Sequence, residues 1–348
     1  MEKVRCGVIG LGIGRAHLKG YQSHPMAEVV AVADPDESRL KSVGDEYNVP
    51  HRYTSAAEMF RKEKLDVVSV ATPNKFHMPL SVEALKAGCH VICEKPMAMS
   101  AREARLMAET ARKAKKRLMI NFSYRFRDET MALKKEVDGG ALGDVYMART
   151  IWHRRRGMPK FGGWFGQKDL AGGGPLIDLG VHRIDLALWL MGYPKPAWVM
   201  GNTYGAIAPA LAKREGKKFD VEDMAVAMIS FENGATLWVE ASWAANVAEA
   251  EMMETRLFGT AGGCVHRNVN ETYQFEVELF LPRAGGHFDM KLRRPEPGMG
   301  SSMHHMVDCI LNNKPHIATA EEGILVMEVL DAIYKSAARK RPVKLGGK

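Results

Sequence analysis

The chain has 348 residues, of which 46% are hydrophobic and 26% are charged. This apolar content is typical of a folded globular protein and excludes a predominantly disordered chain. At about 150 residues per domain, we expect two domains. No apolar run reaches the roughly 18 residues that a membrane span needs, and the N-terminal residues lack the apolar core of a signal peptide. A cytoplasmic protein is therefore expected.

The formal net charge is +8, from 49 Lys and Arg residues against 41 Asp and Glu residues. The basic clusters are short, and two of them close helix-like segments, where cations complement the helix dipole. Because no motif typical of nucleic-acid binding accompanies them, nucleic acid is not an expected partner. The five cysteines lack the spacing of a disulfide framework or a zinc site, which indicates reduced thiols and predicts no metal.

The first 120 residues alternate between short apolar strands and helices. Strands are predicted over residues 4–9, 28–33, 65–71, 90–93 and 118–122, and helices over residues 15–23, 36–47, 80–87 and 101–114. Continuous apolar strands that alternate with helices indicate a parallel sheet covered on both faces. We predict an α/β fold with a dinucleotide-binding Rossmann domain, a doubly wound parallel sheet, over residues 1–122.

Strand-like segments dominate the second predicted domain, residues 123–348, after a helix at residues 130–137. Asn233-Gly234 is the strongest short hairpin signal, with arms over residues 224–232 and 235–243 that are apolar on both faces. Such a sheet needs a cover on each face, from helices or from another subunit. A surface helix is predicted over residues 321–340, because this segment begins acidic and ends basic.

A glycine-rich turn, Gly10-Leu11-Gly12-Ile13-Gly14, joins the first predicted strand to the first helix. Glycines permit a positive φ and let backbone amides approach a pyrophosphate, which a helix N-terminus also attracts. Asp34 ends the second strand 20 residues after Gly14, where a carboxylate accepts the ribose hydrogen bonds of NAD. NADP stays an alternative, because Arg15 and Arg39 lie near enough in the sequence to meet its 2′-phosphate. The competing interpretation is a plain glycine turn with a helix-capping Asp.

Two more polar segments follow strands at the same predicted sheet edge. Thr72-Pro73-Asn74, with His77 beyond it, follows the third strand, and Glu94-Lys95-Pro96 follows the fourth. Ligands of open α/β sheets bind at the carboxyl ends of the strands. Taken alone, Lys95 is better explained as a surface lysine, because a Pro directly after a strand indicates an ordinary turn.

A third segment begins at Pro175, which suits the first turn of a helix after a glycine-rich stretch. Its apolar residues indicate a mostly buried helix, with Asp178 and His182 four residues apart on one face and Asp185 one turn on. Buried polar groups cost several kcal/mol unless they are paired. These side chains therefore either satisfy each other structurally or face a cavity that holds a ligand.

Taken together, these segments resemble the Gfo/Idh/MocA oxidoreductases. The resemblance rests on the glycine turn and on motifs in the same order and spacing over nearly the whole chain: Thr72-Pro73-Asn74 with His77, Glu94-Lys95-Pro96, Asn121 with Arg125, and Asp178-x-x-x-His182. It implies a second, α+β domain for substrate binding and oligomerisation, with a large, open, mostly antiparallel sheet that forms homodimers, often packed into homotetramers. It also implies a nicotinamide cofactor and a sugar, cyclitol or related polyol substrate.

The resemblance also implies roles for single residues. Lys95 matches the active-site lysine of the family, and Asp178 and His182 match its carboxylate and its proton-transfer histidine. The residues that would line the cofactor are Thr72, Asn74, His77, Glu94 and Asn121. In alcohol oxidation His182 is the expected base, because imidazole exchanges protons near neutral pH. Asp178 would bind substrate or orient the imidazole, and the Lys95 ammonium would stabilise the developing alkoxide.

Arg125, His153 and Trp164 are further candidate substrate contacts. Trp164 could stack on a sugar face, and the run Arg154-Arg155-Arg156 would favour an anionic sugar if it lined the pocket rather than an exposed loop. A dihydrodiol-type dehydrogenase is an alternative, and a nucleotide-linked sugar is less favoured because no insertion would hold the nucleotide. A non-catalytic dinucleotide-binding sensor is the alternative from another class, although a sensor needs neither a base nor a proton path.

Overall fold

The computed structural model describes residues 2–346 and divides the chain into two compact units. The first unit runs as far as Ser123 and includes residues 299–327, and the second comprises residues 124–298 and the chain from Glu328 onward. The predicted boundary after residue 122 thus differs by one residue, but residues 299–327 belong to the first unit rather than the second. A segment that returns from far along the chain leaves no local signal in the sequence.

A parallel sheet forms the centre of the first unit. Its elements as far as Ile120 are β1 (Val4–Ile9), α1 (Gly14–Gln22), β2 (Ala27–Ala33), α2 (Glu37–Glu46), β3 (His51–Tyr53), α3 (Ala56–Lys62), β4 (Val67–Val70), α4 (His77–Lys86), β5 (His90–Cys93), α5 (Ala101–Ala114) and β6 (Leu118–Ile120). Within residues 2–346 the sheet has six strands in the order β3-β2-β1-β4-β5-β6, and neighbouring strands are parallel. This topology confirms the predicted Rossmann fold.

The edge strand β3 and the helix α3 are absent from the prediction. β3 has three residues, too few to show an alternating pattern, and its side chains are exposed or half-buried. The central strands behave as their apolar sequences predict: all four side chains of β4 are buried. The carboxyl ends of β1, β4 and β5 therefore lie side by side at one edge of the sheet.

A larger sheet forms the centre of the second unit. Its elements before residue 299 are α6 (Asp128–Asp138), β7 (Val145–Arg154), α7 (Lys168–Ala171), α8 (Val181–Leu190), β8 (Pro196–Tyr204), α9 (Ala208–Arg214), β9 (Met224–Phe231), β10 (Thr236–Ser242), β11 (Glu251–Gly259), β12 (Gly263–Asn268), β13 (Phe275–Arg283) and β14 (Gly286–Lys291). The predicted hairpin is confirmed as β9 and β10. Among the neighbouring strands of this larger sheet, within residues 2–346, β7 and β10 are parallel and the other pairs are antiparallel.

The remaining elements are α10 (Ser302–Leu311), α11 (Ala320–Arg339) and β15 (Val343–Lys344). β15 pairs with β8 and completes the strand order β14-β13-β12-β11-β7-β10-β9-β8-β15, nine strands in the residues that the structure describes. The predicted helix over residues 321–340 is confirmed as α11. Of the helices between residues 2 and 346, none is long and apolar enough to cross a membrane.

The two faces of the larger sheet differ in their cover. In β10, Leu237 and Val239 are buried, whereas Trp238 between them is 37% exposed, because successive side chains of a strand point to opposite faces. Large apolar side chains on the same face as Trp238 are also exposed: Trp198, Met200, Tyr204 and Met228. Both faces are thus apolar, as predicted, and one of them is open in the single chain.

Candidate functional site

The glycine turn after β1 has the geometry that a dinucleotide pyrophosphate requires. Gly10 has a φ of 84°, and a Cβ there would lie 2.5 Å from the Ala71 carbonyl oxygen, so only glycine fits. A Cβ at Gly14 would lie 3.0 Å from a methyl group of Val8, so this glycine lets α1 pack closely on β1. By contrast, Gly12 is exposed, and a Cβ there would meet no atom within 4 Å. The turn therefore leaves open space beside the backbone amides of the α1 N-terminus, and the residues present fit NAD.

Asp34 lies at the end of β2, beside this turn. Its carboxylate accepts hydrogen bonds from the backbone N–H groups of Leu11 and Asp36, at 2.8 and 2.9 Å. Arg39 Nη1 lies 3.2 Å from Asp34 Oδ2, and the Arg39 side chain is half-exposed. The two short backbone bonds hold the carboxylate in place. The longer contacts to the half-exposed arginine are the ones that ribose hydroxyls would replace.

Replacing Asp34 with alanine is expected to shift the kcat/KM ratio of NADP to NAD about 10- to 100-fold towards NADP. Each charge-assisted hydrogen bond to the ribose contributes about 1.5–3 kcal/mol, and 1.4 kcal/mol is a factor of ten. The substitution also frees Arg39 to meet a 2′-phosphate. Steady-state kinetics with both cofactors measure the ratio. Asp36→Ala is the matched control, because Asp36 also pairs with Arg39 but caps α2 instead. An unchanged ratio in Asp34→Ala would contradict the role of Asp34.

The predicted cofactor residues that follow β4 divide into two groups. The Thr72 hydroxyl oxygen is buried and makes no hydrogen bond within residues 2–346, so a ligand at this sheet edge would satisfy it. Asn74 is also buried at this edge. His77, however, is fully buried, and its ring nitrogens lie 2.7 Å from the Pro96 carbonyl oxygen and 2.8 Å from that of Thr72. Burial lowers the pKa of His77. We therefore assign His77 to holding the two loops together, rather than to contacting the cofactor.

Glu94 and Lys95 follow β5, at the same edge as Thr72. Glu94 is 8% exposed, and its Oε1 lies 2.8 Å from His17 Nε2 and accepts a 2.5 Å hydrogen bond from Asn121. Burial raises the pKa of Glu94, but hydrogen bonds from His17 and Asn121 and the positive charge of Lys95 outweigh it and bring the pKa to about 2. Glu94 is therefore ionised. Protein donors occupy its carboxylate, which gives Glu94 and Asn121 a role inside the protein, and that they also line the cofactor stays a prediction.

Asp178 and His182 lie in the second unit, where the predicted single helix has two parts. Residues Leu176–Gly180 form a π-helical turn that leads directly into α8. π-helical turns are rare and frequently occur at functional sites. Asp178 and His182 are half-exposed, while Ile177, Leu179 and Val181 between them are buried. The helix therefore presents both polar side chains at the surface of this unit.

Aromatic residues surround these two side chains. Trp243 Nε1 donates a 3.1 Å hydrogen bond to Asp178 Oδ2. The His182 ring lies 5.2 Å from the Tyr124 ring and 5.7 Å from the Trp152 ring, measured between centroids. An imidazole packed against two rings and a carboxylate held by an indole have restricted orientations. This arrangement suits one proton-accepting group and one hydrogen-bonding group directed at a polyhydroxylated ligand.

Arg183 follows His182 and was not singled out in the sequence. Its guanidinium is fully buried and lies 4.3 Å from the Tyr124 ring centroid and 5.4 Å from that of Trp152. Burial lowers its pKa. The cation therefore packs behind the same two rings that contact His182. The packing of Arg183 against these rings could not be predicted from periodicity, because the sequence shows only another polar residue in a helix that is mostly apolar.

Arg125 and Asp185 form a fully buried ion pair. Arg125 Nε donates a 2.9 Å hydrogen bond to Asp185 Oδ2, and Nη2 contacts the other carboxylate oxygen and the Tyr193 hydroxyl. A guanidinium occupied in this way has a structural role, so Arg125 is removed from the predicted substrate contacts. Asp185, which the sequence left open between pairing and ligand binding, is paired.

Replacing Asp185 with asparagine is expected to lower the free energy of unfolding by about 3–5 kcal/mol, because it leaves a buried guanidinium without its counter-charge. Urea denaturation of the wild type and the variant measures the difference. The double variant Arg125→Met/Asp185→Leu removes both charges and should recover much of the loss. Equal stability of Asp185→Asn and the wild type would show that the pair is not buried as described.

His153 and Trp164 are placed differently from the prediction. Trp152 faces the helices, and His153, as the next residue in β7, faces the opposite side of the sheet, 3.2 Å from Glu240. His153 is therefore removed from the substrate residues, because the period of a strand places it on the wrong face. Trp164 is half-buried, and its ring stacks on Phe165 at 3.8 Å.

Comparison with known proteins gives a consistent result over both units. Residues 4–122 match the family model described as "Oxidoreductase family, NAD-binding Rossmann fold", and residues 134–345 match "Oxidoreductase family, C-terminal alpha/beta domain"; both are models of the Gfo/Idh/MocA family. D-glucoside 3-dehydrogenase of Escherichia coli K12 is 33% identical over 98% of this chain and 97% of its own length. Myo-inositol 2-dehydrogenase of Thermotoga maritima is 26% identical over 98% of both chains.

A solved structure is similar in fold to this chain. GenD2 from gentamicin A biosynthesis, in complex with NAD, has a TM-score of 0.82 and 26% identity, and the match covers 100% of this chain and 97% of that one. The similarity therefore extends through both units of the chain.

Proposed function

This chain belongs to the Gfo/Idh/MocA oxidoreductases, enzymes with an NAD-binding Rossmann fold, and on that premise we propose that it oxidises a secondary hydroxyl group of a neutral sugar, with the C3 hydroxyl of a D-glucoside as the first candidate. The full-length similarity to a D-glucoside 3-dehydrogenase supports the substrate class. One structural observation supports catalysis above all: Asp178 and His182 are half-exposed beside aromatic rings on an otherwise buried helix.

The proposed reaction assigns one task to each polar side chain. His182 accepts the hydroxyl proton, because imidazole can act as a base near neutral pH. Asp178, oriented by Trp243, holds a neighbouring hydroxyl group of the sugar or the imidazole itself. Lys95 carries a positive charge that stabilises the negative charge developing on the reacting oxygen. In reduction, the same charge polarises the carbonyl group.

The cofactor supplies one part of the chemistry, since NAD, when bound, accepts the hydride from the carbinol carbon. The residues proposed to hold it are the turn from Gly10 to Gly14, including Ile13, together with Asp34, Thr72 and Asn74. Ile13 is exposed at the α1 N-terminus, Gly12 leaves space for the pyrophosphate, and the buried Thr72 hydroxyl is available as a hydrogen-bonding group. Asp34 supports NAD in preference to NADP, because its carboxylate would repel a 2′-phosphate.

A neutral sugar is favoured over an anionic one. Arg154 Nε donates a 2.8 Å hydrogen bond to Glu251, and Arg154 Nη2 donates one of 2.7 Å to the Tyr273 hydroxyl. Arg156 donates to the side chain of Asn246. Protein acceptors therefore occupy the arginines that could have recognised a carboxylate or phosphate. Trp164 and Phe165 are half-buried and stack on each other, which suits the apolar face of a sugar ring.

The decisive experiment is to incubate the protein with NAD and a panel of substrates at alkaline pH and to measure NADH formation by absorbance. The panel contains methyl β-D-glucoside, free D-glucose, myo-inositol, D-glucuronate and a cyclic dihydrodiol. We expect the highest kcat/KM for the glucoside, and reduction of the product with borodeuteride followed by NMR should place deuterium at C3. Turnover of D-glucuronate alone would contradict the neutral-sugar proposal, and NADH binding without turnover of any alcohol would favour a sensor.

We also propose that the chain forms a homodimer or homotetramer in the cytoplasm through the open face of the larger sheet. The exposed row that includes Trp198, Met228 and Trp238 supports an apolar interface. All five cysteines are unpaired and buried, which supports a reducing compartment. Light scattering gives the molar mass in solution of the wild type and of Trp238→Glu, and we expect the variant to dissociate. A wild type that is monomeric in solution would contradict the proposed interface.

A further inference from the structure

A buried chain of polar side chains crosses the interior of the first unit. It begins at the Tyr21 hydroxyl, which lies 2.9 Å from Ser69 Oγ, and continues from Ser69 to His17 Nδ1, also at 2.9 Å. His17 Nε2 then lies 2.8 Å from Glu94 Oε1. Tyr21, Ser69 and His17 have no exposed surface. His17 lies one turn into α1, just beyond the glycine turn, whereas Glu94 follows β5, 77 residues away.

The direction of the hydrogen bonds follows from the charge of Glu94. Its pKa of about 2 makes Glu94 a carboxylate, which can only accept hydrogen bonds, so His17 Nε2 must be the donor. The other ring nitrogen, Nδ1, shares a hydrogen bond with Ser69 Oγ, which in turn shares one with the Tyr21 hydroxyl. The buried polar chain therefore ends at the Glu94 carboxylate.

The Glu94 carboxylate also forms hydrogen bonds with the backbone of Lys95 and with the side chain of Asn121. Glu94 Oε2 accepts a 3.2 Å hydrogen bond from the backbone N–H of Lys95. Asn121 Nδ2 donates to Glu94 Oε1, and Asn121 Oδ1 accepts a 2.6 Å hydrogen bond from Ser302. His17 and Asn121 thus both bind Oε1 of Glu94, while Oε2 binds the backbone N–H of Lys95.

We propose that His17 is a positioning residue for Lys95 and that it acts through Glu94. The imidazole fixes the Glu94 carboxylate, and the carboxylate in turn fixes the backbone and balances the ammonium charge of Lys95. This inference rests on the proposed role of Lys95 in turnover. It also connects the helix that follows the glycine turn with the strand end that carries Lys95.

Two isosteric substitutions separate the functions of the imidazole nitrogens. The amide nitrogen of His17→Gln can replace Nε2 as the donor to Glu94, whereas the shorter amide of His17→Asn can reach only the Ser69 side. We expect kcat to fall about 10- to 100-fold in His17→Asn, as for an active-site group displaced by about 1 Å, and to fall less in His17→Gln. Equal losses in the two variants would overturn the role of the Glu94 contact.

A double-variant comparison separates positioning from a general structural role. In a Lys95→Ala background, His17→Asn should cause no further loss of kcat, because its effect passes through Lys95. A further loss of the same size as in the wild-type background would overturn the proposal. Thermal unfolding and NADH fluorescence titration are measured in parallel. They identify variants whose loss arises from unfolding or from weak cofactor binding.

A readout without any substrate keeps this test independent of the proposed function. Lysines are labelled by reductive ¹³C-methylation, and the Lys95 NMR signal is identified by its loss in Lys95→Ala. This signal should shift in His17→Asn and Glu94→Gln. It should not shift in His24→Asn, the matched control, since His24 pairs with Asp308 at 3.3 Å in the same unit but has no link to Glu94. An unmoved Lys95 signal in His17→Asn would refute positioning, whereas a shifted signal in a protein without sugar turnover would refute only the proposed reaction.

Discussion

Replacing Lys95 with alanine is expected to lower kcat about 100- to 1000-fold, the usual effect of removing one group that stabilises a developing oxyanion. The ammonium group acts mainly when negative charge appears on the reacting oxygen, so the loss should lie in kcat rather than in cofactor affinity. The NADH dissociation constant, from fluorescence titration, should stay close to the wild-type value. A larger deuterium isotope effect with a sugar labelled at the reacting carbon would show that the chemical step has become slower.

Lys86→Ala is the matched control for this variant. Lys86 is an exposed lysine at the end of α4 in the same unit, and its loss should leave kcat unchanged. If Lys95→Ala retained near-normal turnover with the preferred sugar, the ammonium would have no part in the reaction, and the assignment of the whole Glu94-Lys95-Pro96 segment would have to be revised.

Replacing His182 with alanine is expected to lower kcat about 100- to 10,000-fold, the range for loss of a general base. With the imidazole gone, the hydroxyl proton must pass to water or hydroxide. The residual rate should therefore rise steadily with pH instead of levelling off. Stopped-flow measurement of NADH formation across the pH range gives both the size of the loss and the changed profile.

Added imidazole distinguishes a missing base from a damaged fold. The alanine variant leaves space between the rings of Tyr124 and Trp152, and free imidazole that occupies it should restore part of the activity of His182→Ala. The same addition should have no effect on Lys95→Ala. His287→Ala, at an exposed position in β14, serves as the control. Absence of both the kcat loss and the rescue would remove His182 from the mechanism.

The bounds of helices and strands could be predicted well where the local sequence has a clear periodicity. β5 and α5 have the predicted bounds, β9 ends one residue before its predicted end, and β10 is one residue shorter than predicted at each end, because buried strands and amphipathic helices have distinct periodicities. β3 was missed because an edge strand of three residues has no period to detect. The π-helical turn at Leu176–Gly180 was missed for a related reason: its apolar residues fit an α-helix equally well.

The candidate site could be predicted less completely than the fold. Turn glycines, a carboxylate at a strand end and a pair of polar residues four apart are local patterns, so the sequence alone pointed to Gly12, Asp34 and the Asp178-His182 pair. Roles that depend on a partner could not be predicted. Arg125 was expected at the substrate, but it pairs with Asp185. His153 was also expected to contact the substrate, but it lies on the face of β7 opposite to Trp152, which packs against His182.

The sequence by itself therefore determined the α/β class, the Rossmann order of elements, the glycine turn and the polar residues worth testing. The tertiary structure alone decided that residues 299–327 return to the first unit, that His77 joins two loops, and that His17 reaches Glu94. The physical reason is the range of the interactions. Periodicity and turn chemistry act over a few residues, whereas the partner of a buried charge depends on which strands become neighbours, and that depends on the packing of the whole chain.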